Sequence, residues 1–531
     1  MDGEIDAASG DDGKGSKDEP APIPRRRQVT VALMVAMMVT AMEQLVVSPA
    51  MPTIIAQLRG FEIYPWVISA YLLASTVSTP IYGKLADLFG RKRVLLFGLG
   101  MFSVGSMLSG TSQTMGQLIA MRTLQGLGAG AVGPIVLTLL GDLFTLRERA
   151  RIQGLFSAVW GLSSIGGPVI GGWLTMQMSW RWVFFVSVPF AAVAMLMLVV
   201  CLHEKVERRV VAPIDWAGAG LLTAGLSTLL LIVLDGSALG LRADLLLGVL
   251  TAVLLVGFVF RELRAEDPIL PMDLMVRPVI AASLVGNFLV GGILFGLETF
   301  VPLFIQGVRG GSPGEAGSAL TPLFLAWAIS VAFAAKATVR WGFRRGGMIG
   351  AVMIGLGLLG LVAGSLDPRW TRFAFTAALA AVGTGMGLTS LSFILAVQHA
   401  VSWGQRGVAT GAAIFFRTIG GAIGVGVLGA ALAWRLGRLL AAAGAGGIDV
   451  AVVLRPDDHH TIPAESLAAV QAALGQSLSA VYVLIATLGL GTLICAAGLP
   501  GRGAAQADGT ADEAIEEESL EGGFAAAASE L

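Results

Sequence analysis

At about fourteen places this chain carries a run of close to 20 predominantly apolar residues, the length a helix needs to cross a bilayer core. The runs lie near 29–50, 64–83, 94–112, 115–139, 152–176, 182–202, 215–234, 244–260, 279–304, 318–338, 346–366, 372–396, 408–433 and 477–499. Charged residues make up 13% of the 531 and hydrophobic ones 55%, against about 25% charged in soluble domains. The chain is therefore expected to be an all-α polytopic membrane protein. A net charge of -1, with basic residues in small clusters between apolar runs, leaves no patch for nucleic acid. Two cysteines, Cys201 and Cys495, lie in or beside apolar segments and indicate neither a disulfide framework nor a thiolate metal site.

The loops divide by charge. With the N-terminus inside, one set collects Lys84 and Arg91 to Arg93, then Arg147, Arg149 and Arg151, then Lys205, Arg208 and Arg209, then Arg261, Arg264 and Arg277, then Lys336, Arg340, Arg344 and Arg345. The opposite loops carry mostly single basic residues, Arg59, Arg181, Arg242 and Arg309, with Arg369 and Arg372 the one pair. An even helix count and this bias place both termini in the cytoplasm. The expected organisation is a disordered N-tail over 1–27, a six-helix half over 28–202, and a linker with an inserted helix pair over 203–277. A second half follows over 278–499 with an external loop at 434–476, and the chain closes on a disordered acidic tail over 500–531.

The halves repeat. Lys84 and Gly90 recur as Lys336 and Gly342, each 252 residues on (336 − 84, 342 − 90), and Lys92-Arg93 recurs as Arg344-Arg345. Asp87 does not recur; Val339 stands in its place. Ile165-Gly166-Gly167 recurs as Ile419-Gly420-Gly421 at a shift of 254 (419 − 165). An even insertion keeps the two halves parallel, related by an axis along the membrane normal.

Gly83-x-Leu85-x-Asp87-x-x-Gly90-Arg91-Lys92-Arg93 resembles the loop motif of the major facilitator superfamily. Arg122-Thr-Leu-Gln125-Gly126-Leu-Gly128-Ala-Gly130 resembles the fourth-helix motif of that family. Gly161 with Gly166-Gly167-Pro168-Val-Ile-Gly171-Gly172 resembles the fifth-helix motif of its drug/proton antiporters. The resemblance implies a major facilitator fold of the fourteen-helix antiporter branch and a role for Asp87 in holding the cytoplasmic side closed near Arg406 to Thr410. Helix 1 departs from the pattern: Glu43 keeps the carboxylate, while Leu45 replaces a hydroxyl residue.

Among the ionisable residues inside apolar runs, four stand out away from the run ends, Glu43, Arg122, Glu298 and Arg417. An ion at mid-bilayer costs about 2.5–3.5 kcal/mol on insertion scales, so each needs a reason. Desolvation and a neighbouring Arg pull on a carboxylate's protonation in opposite senses, and their balance brings it within reach of physiological pH, which proton coupling requires. The alternative is a fixed ion pair, Glu43 with Arg122 or Glu298 with Arg417, that only specifies packing. In helix 5, Gly167 and Gly171 make a small-residue face for close helix packing. Pro168 weakens the helix near its middle, as a gate would require. Candidate substrate contacts between the halves are Trp66, Tyr71, Gln125, Asn287, Phe295 and Phe415.

Asp457-Asp458-His459-His460 is a weak metal candidate in a polar loop, and no phosphate-binding loop supports ATP-driven transport. No metal or cofactor is expected. The combined expectation is a proton-coupled exporter of amphipathic compounds in a bacterial plasma membrane, monomeric, working by alternating access, with any accessory export protein left open. An exporter of one metabolite, siderophore or self-made antibiotic is the nearest alternative. A membrane sensor or an integral-membrane enzyme is disfavoured, for no intramembrane His/Asp/Glu cluster or large soluble domain is present in the sequence.

Overall fold

The computed structural model describes residues 26–144, 146–204, 215–235, 240–265, 268–270, 272–366, 372–402, 405–444, 450–454 and 463–501. The first half comprises α1 (Arg26–Leu58), α2 (Pro65–Phe89), α3 (Arg91–Thr111), α4 (Met115–Ala129), α5 (Val132–Leu143), α6 (Leu146–Gln177), α7 (Trp182–Phe185) and α8 (Ser187–Cys201). The inserted pair is α9 (Trp216–Asp235) and α10 (Leu241–Glu262). After a short α11 (Met272–Met275), the second half comprises α12 (Pro278–Gly307), α13 (Pro313–Trp341), α14 (Phe343–Leu366), α15 (Arg372–His399), α16 (Arg406–Ala442) and α17 (Ala464–Ala497). Among the described residues there is no strand, as expected where backbone groups have only their own helix to bond to.

Among the described residues, twelve spans are long and apolar enough to cross a membrane, with α4 and α5 joined as one and α7 and α8 as another. Two further helices, α2 with 25 residues and α6 with 32, are richer in polar and small residues but pack in the same bundle, which brings the set to about fourteen. The run at 115–139 is broken at Gly130, where a Cβ would collide with Ser78 Oγ of α2. Helices also invade both ends of the segment expected as a loop at 434–476. α16 continues to Ala442 because Leu436 and Leu440 extend its buried stripe, and α17 already begins at Ala464.

The halves are built alike. α1 packs on α6 as α12 does on α16, α3 on α4 as α14 on α15, and α2 on α4 as α13 on α15. Glycines set these crossings. A Cβ at Gly126 would meet the Tyr71 carbonyl and one at Gly383 the Leu323 carbonyl, while Gly105 backs onto Gln125 and Gly357 onto Ala378. Tyr71 and Leu323, like Gly105 and Gly357, stand 252 apart (323 − 71, 357 − 105), the shift of the loop motif. The halves meet along two seams, α2 against α16 and α6 against α13, with α1 touching α12 between them.

The loop motif is partly a capping device. Gly90 and Gly342 both sit at positive φ, +91° and +82°, and turn the chain sharply into α3 and α14. The Glu204 carboxylate accepts the Arg91 and Lys92 N–H groups at 2.9 and 2.8 Å, closing the N-terminus of α3. Lys92 Nζ in turn donates to the Val199 and Leu202 carbonyls at 2.8 and 2.6 Å, at the end of α8. In the second half the Arg344 N–H reaches the Pro500 carbonyl at 3.4 Å, so the segment after α17 takes the same place. Replacing Gly90 by Ala should cost about 1–2 kcal/mol through its left-handed backbone. Gly407, where a Cβ meets nothing within 4 Å, should accept Ala without loss. Thermal melting of the purified protein compares the two.

The inserted helix α9 packs on α10 and on the α2–α16 seam, while α10 turns Leu245, Leu246, Val249 and Val253 outward. Its base is fixed by Asp215, which accepts the Gly218 N–H at 2.9 Å and Arg261 Nε at 2.9 and 3.1 Å. Burial works against charge on Asp215, yet the Gly218 N–H and the Arg261 guanidinium outweigh it and hold the carboxyl below the usual carboxylate range.

Candidate functional site

Arg122 and Gln125 stand three residues apart on one face of α4, and Gly126 beside them lets α4 approach α2 at Tyr71. That approach slides the Tyr71 ring beneath the guanidinium, whose centre lies 4.1 Å from the ring centroid, with Phe184 at 5.8 Å on another side. Arg122 Nη1 donates to Glu43 Oε1 of α1 at 3.0 Å and to Gln125 Oε1 at 2.7 Å. Gln125 Nε2 passes the chain to Ser106 Oγ at 3.0 Å, and Ser106 is 3.0 Å from Ser187 Oγ. Glu43 and Arg122 are 1% and 2% exposed, so this pair lies out of reach of solvent screening. Glu43 Oε2 is buried with no hydrogen-bond partner, which leaves the carboxylate half satisfied in a region where an unpaired polar atom is costly.

A small cavity of about 10 Å³, room for little more than one water, lies beside the pair, lined among others by Gln44 and Ser48 of α1, Tyr71 of α2, Arg122, and Phe295 and Glu298 of α12. It is therefore bounded by both halves. That is far below the roughly 300–1,000 Å³ of small-molecule sites, so a drug-sized ligand requires the halves to shift. The Glu298 backbone carbonyl accepts from Ser48 Oγ, and its side chain reaches the cavity.

Of the charged residues singled out in the sequence, Glu43, Arg122 and Glu298 come together. Arg417 of α16 forms no ion pair with Glu298; its backbone carbonyl instead packs against Gly291 of α12. Tyr71 and Phe295 line the cavity and Gln125 belongs to the network behind it. Asn287 is buried and donates to the Ser283 carbonyl at 3.0 Å within its own helix. Trp66 and Phe415 pack instead into the apolar seam that α2 and α16 share with α9.

In α6, a Cβ at Gly167 would lie 2.7 Å from Leu45 Cβ and one at Gly171 would overlap the Val46 carbonyl, both on α1. The Pro168 carbonyl fills the space that Gly317 of α13 leaves, and Gly166 faces only Ile170 of its own helix. α6 runs unbroken through Pro168. A Cβ at Gly83 would meet nothing within 4 Å, and Arg93 is exposed. The Asp87 side chain and the Asp457 to His460 stretch fall outside the described residues.

Sequence reasoning missed Gln44, Ser48 and Gln306. Ser48 had a signal: Pro302 stands four residues after Glu298 and deprives that carbonyl of its helical donor.

The family model of the Major Facilitator Superfamily matches residues 33–425. Multidrug transporter protein MdtP of Bacillus subtilis is 36% identical over 428 residues, covering 78% of this chain and 77% of that protein. Multidrug resistance protein 3 of the same organism is 33% identical over 404 residues, covering 76% and 78%. An acurin A biosynthesis cluster MFS-type transporter of Aspergillus aculeatus is 33% identical over 418 residues, covering 75% and 74%. Among solved structures, the inward-facing, unoccupied form of a bacterial homolog of the human lysosomal transporter Spinster superposes with a TM-score of 0.66 at 16% identity, covering 89% of this chain and 97% of that one. That likeness is one of fold. Matched helices, repeated halves and relatives of similar length lead to one assignment: this chain belongs to the Major Facilitator Superfamily.

Proposed function

We propose that the protein is a proton-coupled exporter of amphipathic compounds that works by alternating access. The observation carrying this reading is the Glu43–Arg122 pair, buried inside the first half with one carboxylate oxygen unbonded, its arginine facing a cavity that both halves line. Such a carboxylate has a reason to exchange a proton whenever the cavity is wetted. In the cycle, proton entry at Glu43 favours release of substrate outside, and deprotonation toward the cytoplasm restores the binding state. Arg122 biases which form is held, and Tyr71 and Phe295 offer aromatic faces to the substrate. The multidrug relatives support the substrate class. Basic loops on the N-terminal side support both termini being cytoplasmic, and the Bacillus subtilis relatives support a bacterial plasma membrane location.

Proteoliposomes carrying the protein, loaded with a panel of cationic and neutral dyes under an imposed pH gradient, test the proposal. Dye movement should follow the gradient and collapse with a protonophore; movement indifferent to the gradient would overturn the coupling. A second reading, export of one self-made compound, is favoured by the biosynthesis-cluster relative. It predicts that a single compound competes out all dyes.

A further inference from the structure

α12 carries Pro302 in its interior, and a proline has no N–H to give the carbonyl four residues before it. That carbonyl belongs to Glu298, and Ser48 Oγ of α1, in the other half, donates to it. Ser48 is 2% exposed and Glu298 5%, so no bulk water competes for the carbonyl here. A related arrangement recurs inside one half: Pro134 leaves the Gly130 carbonyl without its helical donor, and Thr79 Oγ1 of α2, which donates to the Ser75 carbonyl of its own helix at 2.8 Å, also lies 3.2 Å from that Gly130 carbonyl. There the two helices travel together. At Ser48 they belong to halves that part. Two turns along α12, Gln306 Nε2 donates to the Pro49 carbonyl of α1 at 2.9 Å, and Thr53 Oγ1 lies 3.5 Å from Gln306 Oε1. Each helix thus offers a side chain to the other's backbone, all toward the end away from the N-terminus.

We propose that Ser48 is a positioning residue: its hydroxyl supplies the donor that Pro302 withholds from Glu298, holding that residue at the cavity and latching α1 to α12 while this end is closed. The inference rests on the proposed rocking of the halves. Opening this end breaks the bond, and water entering the seam then serves the Glu298 carbonyl. Pro302 makes the closed state depend on a contact from the opposite half, because α12 has no internal substitute.

The test places a cysteine at the seam by Thr53→Cys, with Cys201 and Cys495 replaced by Ala, and follows its labelling by a membrane-impermeant maleimide in vesicles. Ser48→Ala should raise the labelling rate about 2- to 10-fold, the population shift from one lost hydrogen bond. Ser48→Thr, which keeps the hydroxyl, should leave it unchanged. In a Pro302→Ala background residue 302 regains its N–H, and Ser48→Ala should then have little effect. Unchanged labelling in Ser48→Ala, or equal rises for Ala and Thr, would overturn the latch, as would an equal rise in both Pro302 backgrounds. If Pro302→Ala does not fold, the Ala and Thr variants decide alone. Labelling needs no proton gradient, so it stands apart from the coupling assay. Efflux indifferent to pH together with raised labelling in Ser48→Ala supports the latch and overturns only the proton reading.

Discussion

Glu43→Gln is expected to abolish gradient-driven accumulation, by about 10-fold or more, while leaving exchange of substrate between the two sides of a vesicle largely intact. The amide oxygen can still accept from Arg122, which sits 3.0 Å from Glu43 Oε1, so the helix contact between α1 and α4 survives. What disappears is the only group in this buried pair that can take up and lose a proton, since an arginine stays charged. Breaking a buried pair by removing one partner typically costs about 3–5 kcal/mol, and Gln moderates that by keeping an acceptor in place. Arg122→Ala should be worse for folding, because it strips Glu43 and Gln125 of their shared donor and the Tyr71 ring of its cation. Counterflow and pH-driven uptake of one dye, measured in the same vesicles, separate the two effects. Undiminished driven uptake in Glu43→Gln would reduce the pair to a packing device.

The crossings, the inserted pair and the repeat were legible in the sequence because each rests on a one-dimensional signal: run length, loop charge, or a constant shift between glycines. The meeting of Glu43 with Arg122 was legible for a related reason, as two buried opposite charges at similar depth have few partners to choose from. Side-chain direction was not. Trp66 and Tyr71 lie five residues apart on α2, yet one packs toward α9 and the other turns to the cavity, a difference that helical phase decides only once neighbours are known. Arg417 and Glu298 have opposite charges and similar settings, but no pair forms between them. The true partner of Glu298 is a hydroxyl on α1 aimed at its backbone, which charge-based reasoning does not reach.

The four residues singled out in α6, Gly166, Gly167, Pro168 and Gly171, should separate by position. A Cβ at Gly166 would meet only Ile170 Cδ1, at 3.7 Å, so Gly166→Ala should hold or raise stability, up to about 1 kcal/mol from helix propensity. Gly171 is the opposite case: a Cβ there would overlap the Val46 carbonyl, which is backbone and cannot rotate aside. Gly171→Ala should therefore cost about 1–3 kcal/mol of overpacking, and Gly171→Leu should prevent α6 from seating on α1 at all. Melting of the purified variants and driven dye efflux, taken together, test this. The two readouts should fall together for Gly171, because Val46 lies one turn beyond Glu43 on the same helix. Displacing α1 there drags the carboxylate away from Arg122 as it opens the α1–α6 contact. Equal tolerance of Ala at both sites would mean that α1 yields freely, and a site whose proton-carrying residue rides on α1 could not then hold its geometry through a cycle.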